Sequence, residues 1–199
     1  MKIHMVKWLP TVLLLVGSLL CIHASWLPVK AWLSQQLIHH SWQQSMATKN
    51  AKSPSLKTAI ALKPWPWADT FPIAELVFKR IGKSIVVLNG GDPTTLAFSA
   101  GAIAPFNQAN TTKPFVVAGH RDSHFSFLQD IAMKDVISLT DAQGRAQLYQ
   151  VESIDIVDAS SGQLALPADD TSLVLITCFP FEGIGNNAEQ RYVVTATPL

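Results

Sequence analysis

Hydrophobic and polar residues follow two regimes along this chain. From Trp8 to Val29 (WLPTVLLLVGSLLCIHASWLPV) the sequence contains no Lys, Arg, Asp or Glu. At 1.5 Å rise per residue, about twenty such residues match the hydrocarbon core of a bilayer. Trp8 and Trp26 stand near its two ends, where interfacial aromatics sit. Lys2 and Lys7 precede the segment and Lys30 follows it, so the positive-inside rule favours a cytoplasmic N-terminus with the rest of the chain outside. A cleaved signal peptide is the alternative, but the segment is long for one, and His23 and Trp26 crowd the small-residue pattern CIHASW. Residues 1–30 are therefore expected to be an uncleaved single-pass anchor in the lipid bilayer.

Residues 31–63 are expected to be a helical stalk and linker. Within them, Trp32, Leu33, Leu37, Ile38 and Trp42 fall near helical spacing, predicting a helix over 31–46. The adjacent His39 and His40 point about 100° apart on such a helix and cannot face one metal ion. Residues 47–63 are basic, small and polar around one Pro, as in a linker.

Beyond Lys63 the pattern changes to short extended runs. A proline–aromatic segment, PWPWADT, leads into PIAELVFKR (72–80), where Ile73, Leu76 and Val77 fit one face of a short helix behind Pro72. SIVVL (84–88) reads as a strand, and NGGDP after it as a hairpin turn. FVVA (115–118) is a short strand ending at Gly119-His120, and 126–133 holds a turn or two of helix. DVISLT (135–140) and 145–157 flank a DAQG turn and form a hairpin. SLVLIT (172–177) is a continuous apolar run of the buried-strand type, and QRYVVTAT (190–197) is a final strand. Residues 64–199 are thus expected to be one mainly all-β domain, a barrel or a sandwich.

The chain is 48% hydrophobic and 15% charged, against about a quarter charged in ordinary soluble domains; the apolar segment explains part of the deficit. A net charge of +1, with no basic stripe interleaved with aromatics, argues against nucleic acid as a partner. Of the two cysteines, Cys21 lies in the apolar segment and Cys178 in the folded domain. A disulfide needs Cα atoms within about 7 Å, so the domain is expected to carry one free thiol. One such Cys and scattered His residues do not make a zinc set, and no metal or cofactor is expected.

Three polar residues sit where a strand ends or begins: His120 after FVVAG, Cys178 after SLVLIT, Arg191 before YVVTAT. Strand ends hold side chains rigidly, here at the expected mouth of the barrel. A thiol attacks as its thiolate, a form that a neighbouring cation favours. Cys178 is the candidate nucleophile, and His120 its proton partner, able to protonate a leaving amine. Arg191 is the candidate stabiliser of a developing oxyanion, or a clamp on the substrate backbone.

AGHRDSHF around His120, LVLITCFPF around Cys178 and QRYVV around Arg191 resemble, in that order, the three signature segments of sortases. Their cysteine follows a TLxTC pattern. Here Leu175, Thr177 and Cys178 match, and Val174 replaces the opening Thr. The segment KPWPWADTFPIAEL, with GHRDSHF and TCFPF, is most similar to the class GN sortases of Gram-negative, often marine, bacteria. The resemblance covers residues 64–199. It implies a closed eight-stranded β-barrel with short helices. It also implies cleavage of a C-terminal, LPXTG-like sorting signal through a thioacyl adduct on Cys178, resolved by an amine acceptor. His120 and Arg191 keep their roles, Thr177 becomes a candidate for substrate positioning or second-layer support, and Asp122 for orienting His120 or pairing with Arg121. The implied location is the inner membrane, with the catalytic domain on the periplasmic side.

Two other readings share these features. A hydrolytic cysteine peptidase would use the same three residues with water as acceptor. A membrane-tethered β module that only binds would not need Cys178. An L,D-transpeptidase would place Gly before its Cys, where Thr177 stands, and a papain-like enzyme would have its Cys before its His.

Overall fold

The computed structural model describes residues 2–50, 62–160, 171–182 and 189–199. The segment expected to be a short helix is instead the first strand, β1 (Pro72–Phe78). Its burial alternates: Pro72, Ala74, Leu76 and Phe78 are buried, while Ile73, Glu75 and Val77 are half-exposed. That is the two-residue period of a pleated strand. The helical reading failed because it left out Ala74, a small residue that is fully buried.

After β1 come β2 (Lys83–Asn89), the short helix α2 (Pro93–Phe98), β3 (Gly101–Ala102), β4 (Phe115–Ala118) and a 3-10 turn (Ser126–Asp130). Then follow β5 (Val136–Asp141), β6 (Ala146–Asp158), β7 (Leu173–Phe179) and β8 (Gln190–Pro198). The strands close in the order β1-β2-β3-β4-β7-β8-β6-β5. This is the eight-stranded barrel that the resemblance implied. The expected hairpin at NGGDP is absent: β2 and β3 pair in parallel, and α2 makes the crossover. Asp92 caps α2 by accepting from the N–H groups of Thr94 and Thr95, and Pro93 opens it. Gly90 and Gly101 let the crossover close, since a Cβ on Gly101 would fall 1.9 Å from the Gly90 carbonyl oxygen.

The interior is apolar and continuous, with Leu76, Phe78, Phe115, Val117, Phe125, Leu139, Leu173, Leu175 and Val194 among its members. A second cluster lies against β2. There Ile38 and Trp42 are buried with Val86 and Leu88, flanked by Met46, Trp65 and Phe98. Trp42 Nε1 donates to Glu75 Oε2 at 3.1 Å.

Ile38 and Trp42 belong to α1 (Lys2–Asn50). The chain divides into two compact units, residues 1–36 and 37–199. The unit that contains the barrel also contains the end of α1, with Ile38 and Trp42. The expected linker 47–63 falls mostly outside the described residues. Within the first unit the helix exposes Leu13, Leu14, Leu19 and Ile22. Over Pro10–Thr48 it is long and apolar enough to cross a membrane.

Candidate active site

Two strand pairings assemble the site. β4 and β7 run parallel, with Val116 opposite Val174 and Ala118 opposite Ile176. The ladder continues past the end of β4, where Gly119 N–H donates to the Ile176 carbonyl at 3.1 Å. His120 follows Gly119 directly, just past the end of β4. β7 and β8 run antiparallel, with Cys178 directly opposite Arg191. Neighbouring strands lie about 4.8 Å apart, so Cys178 and Arg191 are cross-strand neighbours, and His120 lies at the end of the strand on the other side of β7.

Alternation along the strands decides which way this row faces. Leu173 and Leu175 point into the main core. Val174 and Ile176 point the other way, into a small outer cluster with Val116, Val193, Ile103, Phe106 and Val157. Cys178 shares the parity of Val174 and Ile176, and Arg191 that of Val193, so both face outward from the barrel wall. The inward side at this end is taken by aromatic rings: Phe179 stacks on Tyr192 with centroids 6.3 Å apart, and Phe181 meets Tyr192 edge-on at 5.1 Å. Burial there raises the Tyr192 phenol above its ordinary pKa.

His120 is exposed, while Cys178 and Arg191 are half-buried. Cys178 and Cys21 are both free thiols, as expected. Arg191 Nη1 donates to the adjoining Gln190 carbonyl at 3.0 Å.

Thr177 is 2% exposed, and its Oγ1 donates to the Gly119 carbonyl at 2.8 Å. The hydroxyl is committed inside the wall, which leaves it no access to a substrate. It bonds the peptide just before His120 to the residue just before Cys178. Thr177→Val keeps the shape but strands a buried carbonyl, which costs about 1–3 kcal/mol. A denaturant titration is expected to show a drop of that size in unfolding free energy, while Cys178 still reacts with a methanethiosulfonate.

Asp122 is exposed, two residues past His120. Arg121 itself is buried.

Sequence reasoning missed Gly119 and Phe125. A Cβ on Gly119 would come within 2.8 Å of the Phe125 ring, which is fully buried. Only glycine lets the chain turn from β4 into His120 over that ring. The Gly preceding His in AGHRDSHF was the available signal.

A closed barrel with a free thiol opposite a guanidinium on neighbouring strands, and a histidine just past the adjoining strand, suits cysteine acyl-transfer chemistry. A family model described as a Sortase domain matches residues 76–199. Sortase D of Bacillus subtilis (strain 168) is 26% identical over 153 residues, which cover 76% of this chain and 74% of that protein. Among solved structures, Sortase A from Corynebacterium diphtheriae is similar with a TM-score of 0.56 at 25% identity, over 67% of this chain and 63% of that one. A Clostridium perfringens Sortase D5 transpeptidase shares the fold with a TM-score of 0.61 at 17% identity, over 84% of this chain and 98% of its own. The chain belongs to the sortase family of cysteine transpeptidases.

Proposed function

We propose that this sortase is a membrane-anchored transpeptidase that cleaves a C-terminal LPXTG-like sorting signal and passes the released protein to an amine acceptor. The observation that carries this reading is Cys178 paired across the strands to Arg191, with His120 just past the end of the neighbouring β4.

The chemistry follows from that arrangement. The Cys178 sulfur attacks the carbonyl carbon of the scissile amide, and the carbonyl oxygen takes up negative charge. Arg191 offers a positive group to that oxygen or to the flanking substrate backbone. His120 gives a proton to the departing amine, the C–N bond breaks and a thioester remains on Cys178. An incoming amine then attacks the thioester and loses a proton to His120, and the C–S bond breaks to release a new amide. An outward-facing thiol suits a substrate that is an entire protein, because its tail lies along the wall and does not thread a mouth. Half-exposed Ile176 and Val157, with Phe106, provide apolar surface on the same side as Cys178, suited to an apolar side chain of the signal.

The apolar N-terminal helix supports a single-pass anchor. With the positive-inside pattern and the likeness to class GN sortases, it favours the inner membrane of a Gram-negative cell with the barrel in the periplasm.

The test uses the full chain in detergent and an internally quenched peptide containing LPXTG, with and without an added primary amine, read by mass spectrometry. A thioacyl adduct on Cys178 is expected, and the new amide is expected to dominate when amine is present. Free acid as the sole product at saturating amine would establish the hydrolytic peptidase instead. No cleavage by a chain whose Cys178 still reacts with thiol reagents would reject this motif.

A further inference from the structure

We propose that His124 is a positioning residue for His120, its imidazole tying the 120–125 turn to the end of α2. This rests on the reading of His120 as the proton partner of Cys178.

His120 is exposed and lies two residues beyond β4, so the strand ladder does not hold its ring. The turn that follows does. The His120 carbonyl accepts from Phe125 N–H at 2.9 Å and, more loosely, from Ser123 N–H at 3.5 Å. Phe125 plugs into the core against Gly119. His124, between these anchors, ties the turn to a second element. Its ring is half-buried, with Nε2 3.5 Å from the Ala97 carbonyl oxygen in the last turn of α2. A carbonyl only accepts, so Nε2 carries the hydrogen and the neutral ring has one defined tautomer. α2 is fixed in turn by its Asp92 cap and by Ser99 just after it, whose hydroxyl donates to the Val86 carbonyl at 2.6 Å.

The electrostatics favour the neutral form. Burial, the largest effect, lowers the proton affinity of His124; the Ala97 carbonyl opposes it, positive charge on His120 lowers it further, and Asp122 raises it. The charged groups acting on the ring are thus His120 and Asp122, both on its own turn, and α2 contributes the carbonyl. The net result lies below the ordinary histidine value of 6.5. Because the folded pKa is depressed, the stability linked to this ring is fully present above about 6.5 and is lost as pH falls through the folded value, since the unfolded chain binds the extra proton more readily; the Nε2–H donor itself survives protonation. Protonation would also set a second positive charge near the His120 imidazolium.

Two uncharged replacements separate positioning from packing. His124→Phe keeps a flat ring and removes the donor, and His124→Gln keeps a donor at similar reach. With the quenched LPXTG peptide and the full chain in detergent, His124→Phe is expected to lower kcat about tenfold to a hundredfold, a part of what acid–base catalysis supplies. KM should stay within about twofold, and His124→Gln should recover most of kcat. Wild-type kcat in His124→Phe, or equal losses in both variants that follow their melting temperatures, would overturn the proposal. One readout needs no peptide. Long-range 1H–15N spectra should show His124 as the neutral Nε2–H tautomer at pH 7 and still mostly neutral at pH 6.5. A half-charged ring at pH 6.5, or the other tautomer, would also overturn it. If the wild type ignores the peptide, the functional reading fails on that arm while the spectra still decide the state of His124.

Discussion

Cys178→Ala is expected to abolish both cleavage and thioacyl formation, with a loss of at least about 10⁴-fold in kcat, the scale on which removal of a nucleophile acts in other covalent enzymes. No other described group can take its place, since the only other thiol, Cys21, lies in α1 within the other compact unit. The fold should not notice. Cys178 is half-buried on the outer face, away from the interior that Leu173 and Leu175 fill, and the cross-strand pairing with Arg191 is made by backbone. The change in stability is expected within about 1 kcal/mol. Two measurements separate lost chemistry from lost structure: the denaturation midpoint, and labelling of the wild type by a methanethiosulfonate. Labelling should inactivate the wild type and, equally, a Cys21→Ala chain, whereas Cys178→Ala should be inert from the start. Product formation by Cys178→Ala at a measurable fraction of the wild-type rate would leave only an anchored β-barrel whose Cys178–Arg191 pairing has another purpose.

The three candidate residues stand out in the sequence because each closes or opens a distinct apolar run, and because the motif order is specific. The outward face shared by Cys178 and Arg191 does not. β7 is apolar on both sides: Leu173 and Leu175 fill the core while Val174 and Ile176 build an outer cluster. Period-two reading needs a polar face for contrast, and this strand supplies none until Cys178. The parallel pairing of β4 with β7 was equally hidden, because it joins residues 58 apart, as in the Thr177 to Gly119 bond. Two-residue β3 is below the length at which any pattern shows. α2 was hidden for a different reason. Asp92-Pro93 is a good helix start, but the preceding Gly90-Gly91 invited a turn, and six residues are too few to display a helical stripe. β1 went the other way, its spacing of Ile73, Leu76 and Val77 satisfying a helix while burial followed the smaller residues.

Arg191→Ala is expected to lower kcat/KM by about 100- to 1,000-fold, the cost of removing one donor from a developing oxyanion. The geometry sets the sign of this effect. Arg191 is opposite Cys178 on the neighbouring strand, so its side chain leaves the wall on the face where the sulfur must meet the carbonyl carbon. Its bond to the Gln190 carbonyl is local. Arg191→Lys separates two ways in which the guanidinium can act. An ammonium keeps the charge but not the planar fork of donors. Recovery of most of the activity by Lys would mean that the charge alone matters, whereas continued loss would mean that two donors grip one substrate group. We expect the fork to matter, because the acyl carbonyl and its neighbouring peptide must be held together while the leaving amine is exchanged for another. Steady-state kcat/KM, with the rate of thioacyl appearance measured in a single turnover, locates the defect. It should fall on adduct formation, where negative charge first develops, and leave the reaction of Cys178 with a small thiol reagent nearly unchanged. A kcat/KM within tenfold of wild type in Arg191→Ala would remove the guanidinium from the reacting carbonyl and leave the catalysis to Cys178 and His120.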